Sequence, residues 1–181
     1  MTPVAHFEKV SFETYKEKML ELWNDTEEEM HMHPELIEEI IRNMYDAIML
    51  PIRATSGSAG YDFFTPAELH IPSNHSIIIP TGIRCKIDDG YFLGMYPRSG
   101  LGFKYRVALD NTVGIIDADY YNSDNEGHII LKLHADIPDG TAVTVPEGKA
   151  YAQGIFQQFF VTYEDRADGT RNGGFGSTSE E

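Results

Sequence analysis

The sequence predicts a mainly β protein, an antiparallel jelly-roll barrel or sandwich that follows a helical N-terminal extension. Before Pro51, apolar side chains recur at the spacing of an amphipathic helix. From Pro51 onward, short apolar runs of strand length are separated by turns rich in glycine, proline and aspartate, which is typical of antiparallel β proteins. With 181 residues, the chain has room for one domain with a sizeable core plus an appendage.

The extension, residues 1–50, is predicted to form two helices. The first has one apolar stripe, made by Phe12, Tyr15, Met19, Leu22 and Trp23. Pro34 and Glu35 mark the start of the second, because proline fits the first turn and an acid favours its positive end. Its apolar face comprises Leu36, Ile37, Ile40, Ile41, Met44, Tyr45 and Ile48. We expect a helical hairpin that packs on the β domain; the alternative is a surface that binds a partner or bridges subunits.

The β domain is predicted to span residues 51–165. Its clearest strands are 77–79, 82–87, 91–96, 128–134 and 150–163. Three turns contain a glycine that can supply a positive φ, at 88–90, 138–140 and 146–148. Residues 166–181 are polar and rich in glycine, and we expect a flexible C-terminal arm. Phe175 is the aromatic residue of this arm, so a lid over a site is the alternative to a loose tail.

Charge and composition exclude several classes of function. The formal net charge of −15 disfavours nucleic acids and anionic membranes as partners. No apolar run approaches the roughly 20 residues of a membrane span, and residues 1–20 do not resemble a signal peptide. The single cysteine, Cys85, is predicted to be a buried apolar residue, which suits the cytoplasm. A small anionic substrate fits the cations gathered near the middle of the chain: Arg84, Arg98, Lys104 and Arg106.

Arg98, Ser99 and Gly100 follow a predicted strand and are candidates for binding phosphate. A guanidinium beside a hydroxyl and a glycine amide offers several donors to an anion, although a surface arginine before a turn is the simpler interpretation. Gln153 ends a run of small residues and is a weaker candidate for reaching a phosphoryl oxygen. Asp62 is weaker still, because aspartate after glycine most often caps a turn.

Residues 111–120 carry the second candidate group, an apolar hairpin with polar ends. Asn111 and the backbone near Gly114 could recognise the edge of a planar base. Asp117 and Asp119 are two residues apart, so their side chains lie on one side if the segment is extended. They are either two solvated acids at the end of a strand, or one of them is the general base that deprotonates water. Tyr120 would face the other side and be available to pack on a sugar or base. Taken together, these features predict a nucleotide hydrolase.

Five segments of the chain, in order, resemble the five motifs of trimeric dUTPases: residues 59–62 (AGYD), 97–102 (PRSGLG), 111–120 (NTVGIIDADY), 148–153 (GKAYAQ) and 173–178 (GGFGST). The resemblance covers about residues 51–178. It implies a jelly-roll homotrimer with active sites shared between subunits. The implied reaction converts dUTP to dUMP and pyrophosphate, with Mg²⁺ carried by the triphosphate, and so supplies dUMP and limits uracil in DNA.

The resemblance also implies a role for individual residues. Asp117 would be the general base, and Tyr120 would pack under the deoxyribose. Uracil would be bound by Asn111, Gly114 and Ile116, and covered by Phe175. Phosphates would be bound by Arg98, Ser99, Gly100 and Gln153, together with Arg171, Gly176, Ser177 and Thr178 of the arm. Asp62 would lie near the water shell of the metal.

Three departures from the family pattern stand out. The last motif is one residue shorter than usual, so that Thr170 occupies the usual arginine position and Arg171 is its nearest substitute. The loop at residues 121–126 is longer than the usual turn after Tyr120. Residues 1–50 lie outside the family core.

Two other functions compete with hydrolysis. The related dCTP deaminases use a glutamate where this chain has Lys132, and a second arginine where it has Phe103, so both groups needed for deamination are replaced. A non-catalytic or regulatory interaction protein on the same scaffold is the other alternative, because a fold does not determine a function.

Overall fold

The computed structural model describes residues 2–24, 33–137 and 140–169. Three α-helices occupy Phe12–Asn24 (α1), Pro34–Ala47 (α2) and Ser99–Tyr105 (α3). Twelve strands lie within the described residues: β1 (Ala5–Lys9), β2 (Ile52–Arg53), β3 (Tyr61–Phe64), β4 (Leu69–Ile71), β5 (Ser76–Pro80), β6 (Ile83–Ile87), β7 (Tyr91–Pro97), β8 (Ala108–Leu109), β9 (Gly114–Asp117), β10 (Ile130–His134), β11 (Val143–Val145) and β12 (Ala150–Gln158). A 3₁₀ helix follows β9 at Ala118–Asn122.

The strands pair antiparallel, as the short apolar runs separated by turns predict. The largest sheet has the order β2-β3-β12-β7-β9, and a second has the order β5-β10-β8. Two further pairs, β1-β6 and β11-β4, complete the jelly-roll type of architecture. Non-neighbouring segments of the chain therefore become neighbours in space, and the sheet that contains β3, β12, β7 and β9 carries most of the candidate site.

The N-terminal extension is joined to the β domain by a strand that the sequence analysis did not predict. β1 pairs with β6 in a continuous register from Ala5 opposite Ile87 to Lys9 opposite Ile83. Phe7 of β1 also packs on Phe63 and Phe156 of the main sheet. The helical interpretation of residues 1–50 missed this strand because its pairing partner lies about 78 residues further along the chain.

The two predicted helices of the extension pack against each other and on the core. Phe12 and Tyr45 meet with ring centroids 5.5 Å apart, and the Tyr45 hydroxyl donates to the carbonyl of Val10 at 2.6 Å. Tyr15 and Ile41 are fully buried, one from each helix. The apolar stripes identified in the sequence thus face the protein interior, except for Leu36, which is 47% exposed.

Several local predictions can be compared directly with the structure. The turn glycines Gly90 and Gly148 have positive φ values of 84° and 71°, as predicted. Cys85 is buried, and burial raises the pKa of its thiol to about 12. The last strand was predicted too long: β12 ends at Gln158, and residues 159–163 are exposed. Among residues 2–24, 33–137 and 140–169, no helix is long and apolar enough to cross a bilayer.

Candidate functional site

The register of three neighbouring strands brings Asp62, Gln153 and Arg98 together. Gln153 of β12 lies opposite Asp62 of β3 on one side and opposite Tyr96 of β7 on the other. Its side-chain amide donates to the carbonyl of Pro97 at 3.2 Å. Three residues that are far apart in sequence therefore form one polar group at the end of the main sheet, which we call the phosphate cluster.

An ion pair anchors the cation of this cluster. The Arg98 guanidinium donates to the carboxylate of Asp62 at 2.6 Å, and Asp62 is only 7% exposed. A carboxylate buried to this degree fixes one edge of the guanidinium, and the remaining donors of the planar fork are left for another anion. Asp62 is therefore a partner of Arg98 rather than only a turn cap.

Helix α3 begins directly after Arg98, where the sequence analysis predicted a turn. Arg98 is extended and caps the helix, and its carbonyl accepts hydrogen bonds from the amides of Leu101 and Gly102. Ser99 and Gly100 form the first, exposed turn of α3. Ser99 and Gly100 thus follow Arg98 directly in the chain at the start of this helix, and helix N-termini favour anions.

A separate pocket is formed by the hairpin that leads into β9. Asn111, Gly114 and Ile116 line a cavity of about 310 Å³, and Ile78 and Ile130 supply part of its apolar wall. At Gly114 a β-carbon would stand 3.1 Å from that of Met95, so a larger residue would require Met95 to shift by a few tenths of an ångström. The structure thus brings together the three residues that the resemblance assigns to uracil.

Asp117 is the last residue of β9 and is half-buried. Because β9 contains only Gly114–Asp117, the carboxylate lies at one end of the same four-residue strand that forms the pocket. Asp119 lies in the 3₁₀ helix, so the extended geometry that would place both carboxylates on one side is not present. The two acids are therefore not equivalent, and Asp117 is the one that continues the pocket strand.

Tyr120 lies differently from the sequence-based expectation of an accessible ring. It is 4% exposed, and its hydroxyl donates to the carbonyl of His128 and accepts from the side-chain amide of Asn125. The long loop at 121–126, a departure from the family pattern, folds back with the residues that follow it and buries this ring. In the single chain, Tyr120 thus organises the loop, and its packing against a deoxyribose stays a prediction.

The same loop contacts the extension through Glu126. Its carboxylate accepts hydrogen bonds from the Ser11 amide (2.8 Å), the Ser11 hydroxyl (2.6 Å) and the Thr14 hydroxyl (2.7 Å). Burial raises the pKa of Glu126, but these hydrogen bonds outweigh it and lower the pKa overall. The two departures from the family pattern, the long loop and the extension, therefore stabilise each other at the N-terminus of α1. The sequence analysis missed this contact.

The two halves of the candidate site lie apart in one chain. Asp117 is opposite Phe92 at one end of β7, whereas Pro97 at the other end precedes Arg98. Five residues of extended strand correspond to about 17 Å, which is longer than a triphosphate. Phe175, Arg171, Gly176, Ser177 and Thr178, the predicted site residues of the C-terminal arm, lie outside the described residues, as does Thr170.

A family model described as dUTPase matches residues 46–179. The chain belongs to the dUTPase family. The match covers the β domain and leaves β1, α1 and nearly all of α2 outside, so the family does not account for the extension. Lys132, at the position of the deaminase glutamate, forms an ion pair with Asp110 at 3.3 Å, and Phe103 is 95% exposed.

Comparisons with individual proteins agree with the family assignment. A deoxyuridine 5'-triphosphate nucleotidohydrolase of Lactococcus lactis is 37% identical over 134 residues, which cover 72% of this chain and 88% of the relative. The crystal structure of the Streptococcus mutans dUTPase is similar with a TM-score of 0.55 and 33% identity, over 62% of this chain and 88% of that one. A point mutant of the dUTPase from the Staphylococcus aureus phage phi11 shares the fold at 20% identity, with a TM-score of 0.54 over 71% of this chain and 95% of that one.

Proposed function

We propose that this protein hydrolyses dUTP to dUMP and pyrophosphate. One observation carries the proposal: the base pocket and the Asp117 carboxylate lie on the same short strand, Gly114–Asp117. We infer that a nucleotide whose base enters this pocket would place its α-phosphate near the end of the strand, where Asp117 lies. Membership of the dUTPase family supports the choice of dUTP as substrate.

In the proposed mechanism, Asp117 orients a water molecule and accepts its proton. The water oxygen attacks the α-phosphorus in line, a new P–O bond forms, and the bond from the α-phosphorus to the bridging oxygen breaks. Pyrophosphate leaves with the electron pair of that bond, and dUMP remains in the pocket. Asn111, Gly114 and Ile116 hold the base, so that the α-phosphate stays within reach of the water.

The phosphate cluster would bind the rest of the triphosphate. Arg98 offers a preorganised fork because Asp62 holds it, and Ser99, Gly100 and Gln153 add polar groups beside it. Since the β7 backbone positions beside Asp117 and before Arg98 are about 17 Å apart, we propose that a complete site combines Asp117 of one chain with the cluster of another. A homotrimer with three shared sites satisfies this requirement.

Magnesium fits this site as an ion carried by the substrate. Among the residues that the structure describes, no group of three or more acidic, histidine or cysteine side chains could hold a metal ion. Asp62, the acid nearest to the phosphates, is already paired with Arg98, so it would contact the ion through water. Mg²⁺ prefers phosphate oxygens and water, and it would neutralise charge on the triphosphate. The phage phi11 dUTPase, for comparison, coordinates a structural Mg(II) ion.

Closure by the C-terminal arm completes the proposal. Phe175 would cover the base, while Arg171, Gly176, Ser177 and Thr178 would contact phosphates and exclude water. Tyr120 would support the deoxyribose only if the loop that buries its ring in the single chain moves aside. The reaction would take place in the cytoplasm, where the buried thiol of Cys85 stays reduced.

The test is pyrophosphate release by the purified protein with Mg²⁺, compared for dUTP, dTTP, UTP and dCTP. We expect release from dUTP alone, lost in Asp117→Asn and retained in the matched variant Asp119→Asn. No release from any nucleotide contradicts the proposal and favours a non-catalytic interaction protein. Release of ammonia from dCTP would instead identify a deaminase.

A further inference from the structure

The extension supplies one wall of the base pocket. Lys18 of α1 lines the same cavity of about 310 Å³ as Asn111, Gly114 and Ile116. Neither the family match, which begins at residue 46, nor the five motifs include this helix. A cation from outside the family core therefore faces the pocket of a chain whose net charge is −15.

Lys18 differs from the other charged side chains of the pocket in how it is paired. Lys132 and Asp110 form an ion pair at 3.3 Å, and Asp110 also contacts His134 at 2.7 Å. Lys18 contacts Glu21 at 2.6 Å, one turn further along the same helix, and the Glu21 side chain is 57% exposed. An exposed pair at this spacing is weak, so the ammonium can exchange it for an acceptor inside the pocket.

The position of Lys18 is fixed by the loop that follows Tyr120. Thr14 and Lys18 are four residues apart and share one face of α1. Thr14 donates to Glu126 at 2.7 Å, and Thr14 and Lys18 both line a neighbouring cleft with His128. The contact with Glu126, together with the buried Tyr15 and Met19 on the same helix, holds α1 in the rotation that places Lys18 at the pocket.

We propose that Lys18 is a specificity-determining residue that donates a hydrogen bond from its ammonium to a carbonyl oxygen of the bound pyrimidine. The inference rests on the proposed function, because it takes the pocket as the base site. A pyrimidine such as uracil presents carbonyl acceptors, and the side chains of Ile78, Ile116 and Ile130 offer them no donor. The side-chain donors of the pocket are the Asn111 amide, Lys132, which is paired with Asp110, and Lys18. In an apolar pocket, a small number of polar groups fixes the orientation of the ligand.

The experiment compares Lys18→Met with Lys16→Met in the full-length protein. Methionine keeps an apolar stem of similar length and removes the charge. Lys16 is on the same helix but pairs with Glu38 of α2 and does not line the pocket, so its variant controls for loss of a helix cation. Dissociation constants of deoxyuridine and dUMP are measured by calorimetry, together with KM for dUTP.

We expect Lys18→Met to weaken deoxyuridine and dUMP alike by about tenfold, the size of one charge-assisted hydrogen bond, and Lys16→Met to leave both unchanged. Unchanged deoxyuridine binding in Lys18→Met overturns the inference, and so does a loss confined to dUMP, which would indicate a phosphate contact. Wild-type protein that binds deoxyuridine but releases no pyrophosphate from dUTP refutes the proposed function, not the role of Lys18.

Discussion

Replacing Glu126 by alanine tests the coupling between the extension and the loop beside the candidate site. The change removes the acceptor of three hydrogen bonds, at 2.8, 2.6 and 2.7 Å, from Ser11 and Thr14. Loss of an N-terminal cap costs about 1 kcal/mol, and a hydrogen bond to a charged group contributes roughly 1.5–3 kcal/mol net of its exchange with water, with the smaller values where water can replace the lost acceptor. Because the site is only partly buried, we expect a loss of about 2–3 kcal/mol.

For a chain of this size, such a loss lowers the melting temperature by roughly 5–10 °C. Scanning calorimetry of wild type, Glu126→Ala and Glu126→Gln measures it, and we expect the glutamine variant, which keeps one acceptor oxygen, to lose less. Asp124→Ala is the matched control, since Asp124 is an exposed acid of the same loop. A melting temperature equal to wild type, or an equal fall in Asp124→Ala, would refute the coupling.

The pH dependence of this difference has a definite sign. Burial raises the pKa of Glu126, the hydrogen bonds from Ser11 and Thr14 lower it, and the net result is below the usual value of 4.5. A carboxylate with a depressed pKa stabilises the fold above its unfolded pKa, and this contribution is lost as pH falls through the folded pKa. The gap in melting temperature between wild type and Glu126→Ala should therefore shrink as the pH falls below 4.5.

Three further predictions follow from the site and its loop. Asp117→Asn should lower kcat by about 10²–10⁴-fold with little change in dUTP affinity, because it removes the general base and keeps the shape of the side chain. A comparable loss of dUTP affinity and of stability would show that Asp117 has a structural role. Gly127→Ala should destabilise the protein by more than about 2 kcal/mol in chemical denaturation, since φ is 70° and a β-carbon would lie 2.7 Å from the carbonyl oxygen of Tyr120. Gly148→Ala is the control, because Gly148 has a φ of 71° but no atom within 4 Å of an added β-carbon, and it should destabilise the protein by only about 1 kcal/mol. Equal destabilisation by the two substitutions would show that the close approach to Tyr120 does not matter. Burial lowers the pKa of His128 from 6.5 to about 4, so the free energy of unfolding should fall by roughly 3 kcal/mol between pH 6.5 and pH 4. His128→Gln should flatten this dependence of the free energy of unfolding on pH. An unchanged dependence in the variant would show that other groups cause it.

Local signals were sufficient for most elements of the fold. The turn at Gly90 and the apolar stripes of α1 and α2 depend on neighbours within a few residues, and the sequence predicts them well. Strand β1 could not be predicted in this way, because its pairing with β6 is a long-range contact and the segment AHFEK is short and polar. Helix α3 was missed because two glycines, Gly100 and Gly102, favour a turn over a helix by propensity.

In the candidate site too, the sequence indicates individual residues, whereas their arrangement depends on long-range contacts. Asp62, Arg98 and Gln153 are each weak candidates alone, and only the register of β3, β12 and β7 makes them one cluster. The burial of Tyr120 depends on how the loop at 121–127 folds, which the motif that contains Tyr120 does not specify. Lys18 and Glu126 had no signal in the motifs, because their roles come from contacts between the extension and the β domain.

Activity of hybrid oligomers tests the central claim, that the site joins Asp117 of one chain to the phosphate cluster of another. Asp117→Asn and Arg98→Gln chains are each expected to be nearly inactive alone; the glutamine amide can still donate to Asp62. Co-expressed in equal amounts, they should recover about a quarter of wild-type dUTP turnover, the share of interfaces that receive both intact halves. Hybrids no more active than either parent would contradict the shared site, because both halves would then act within one chain.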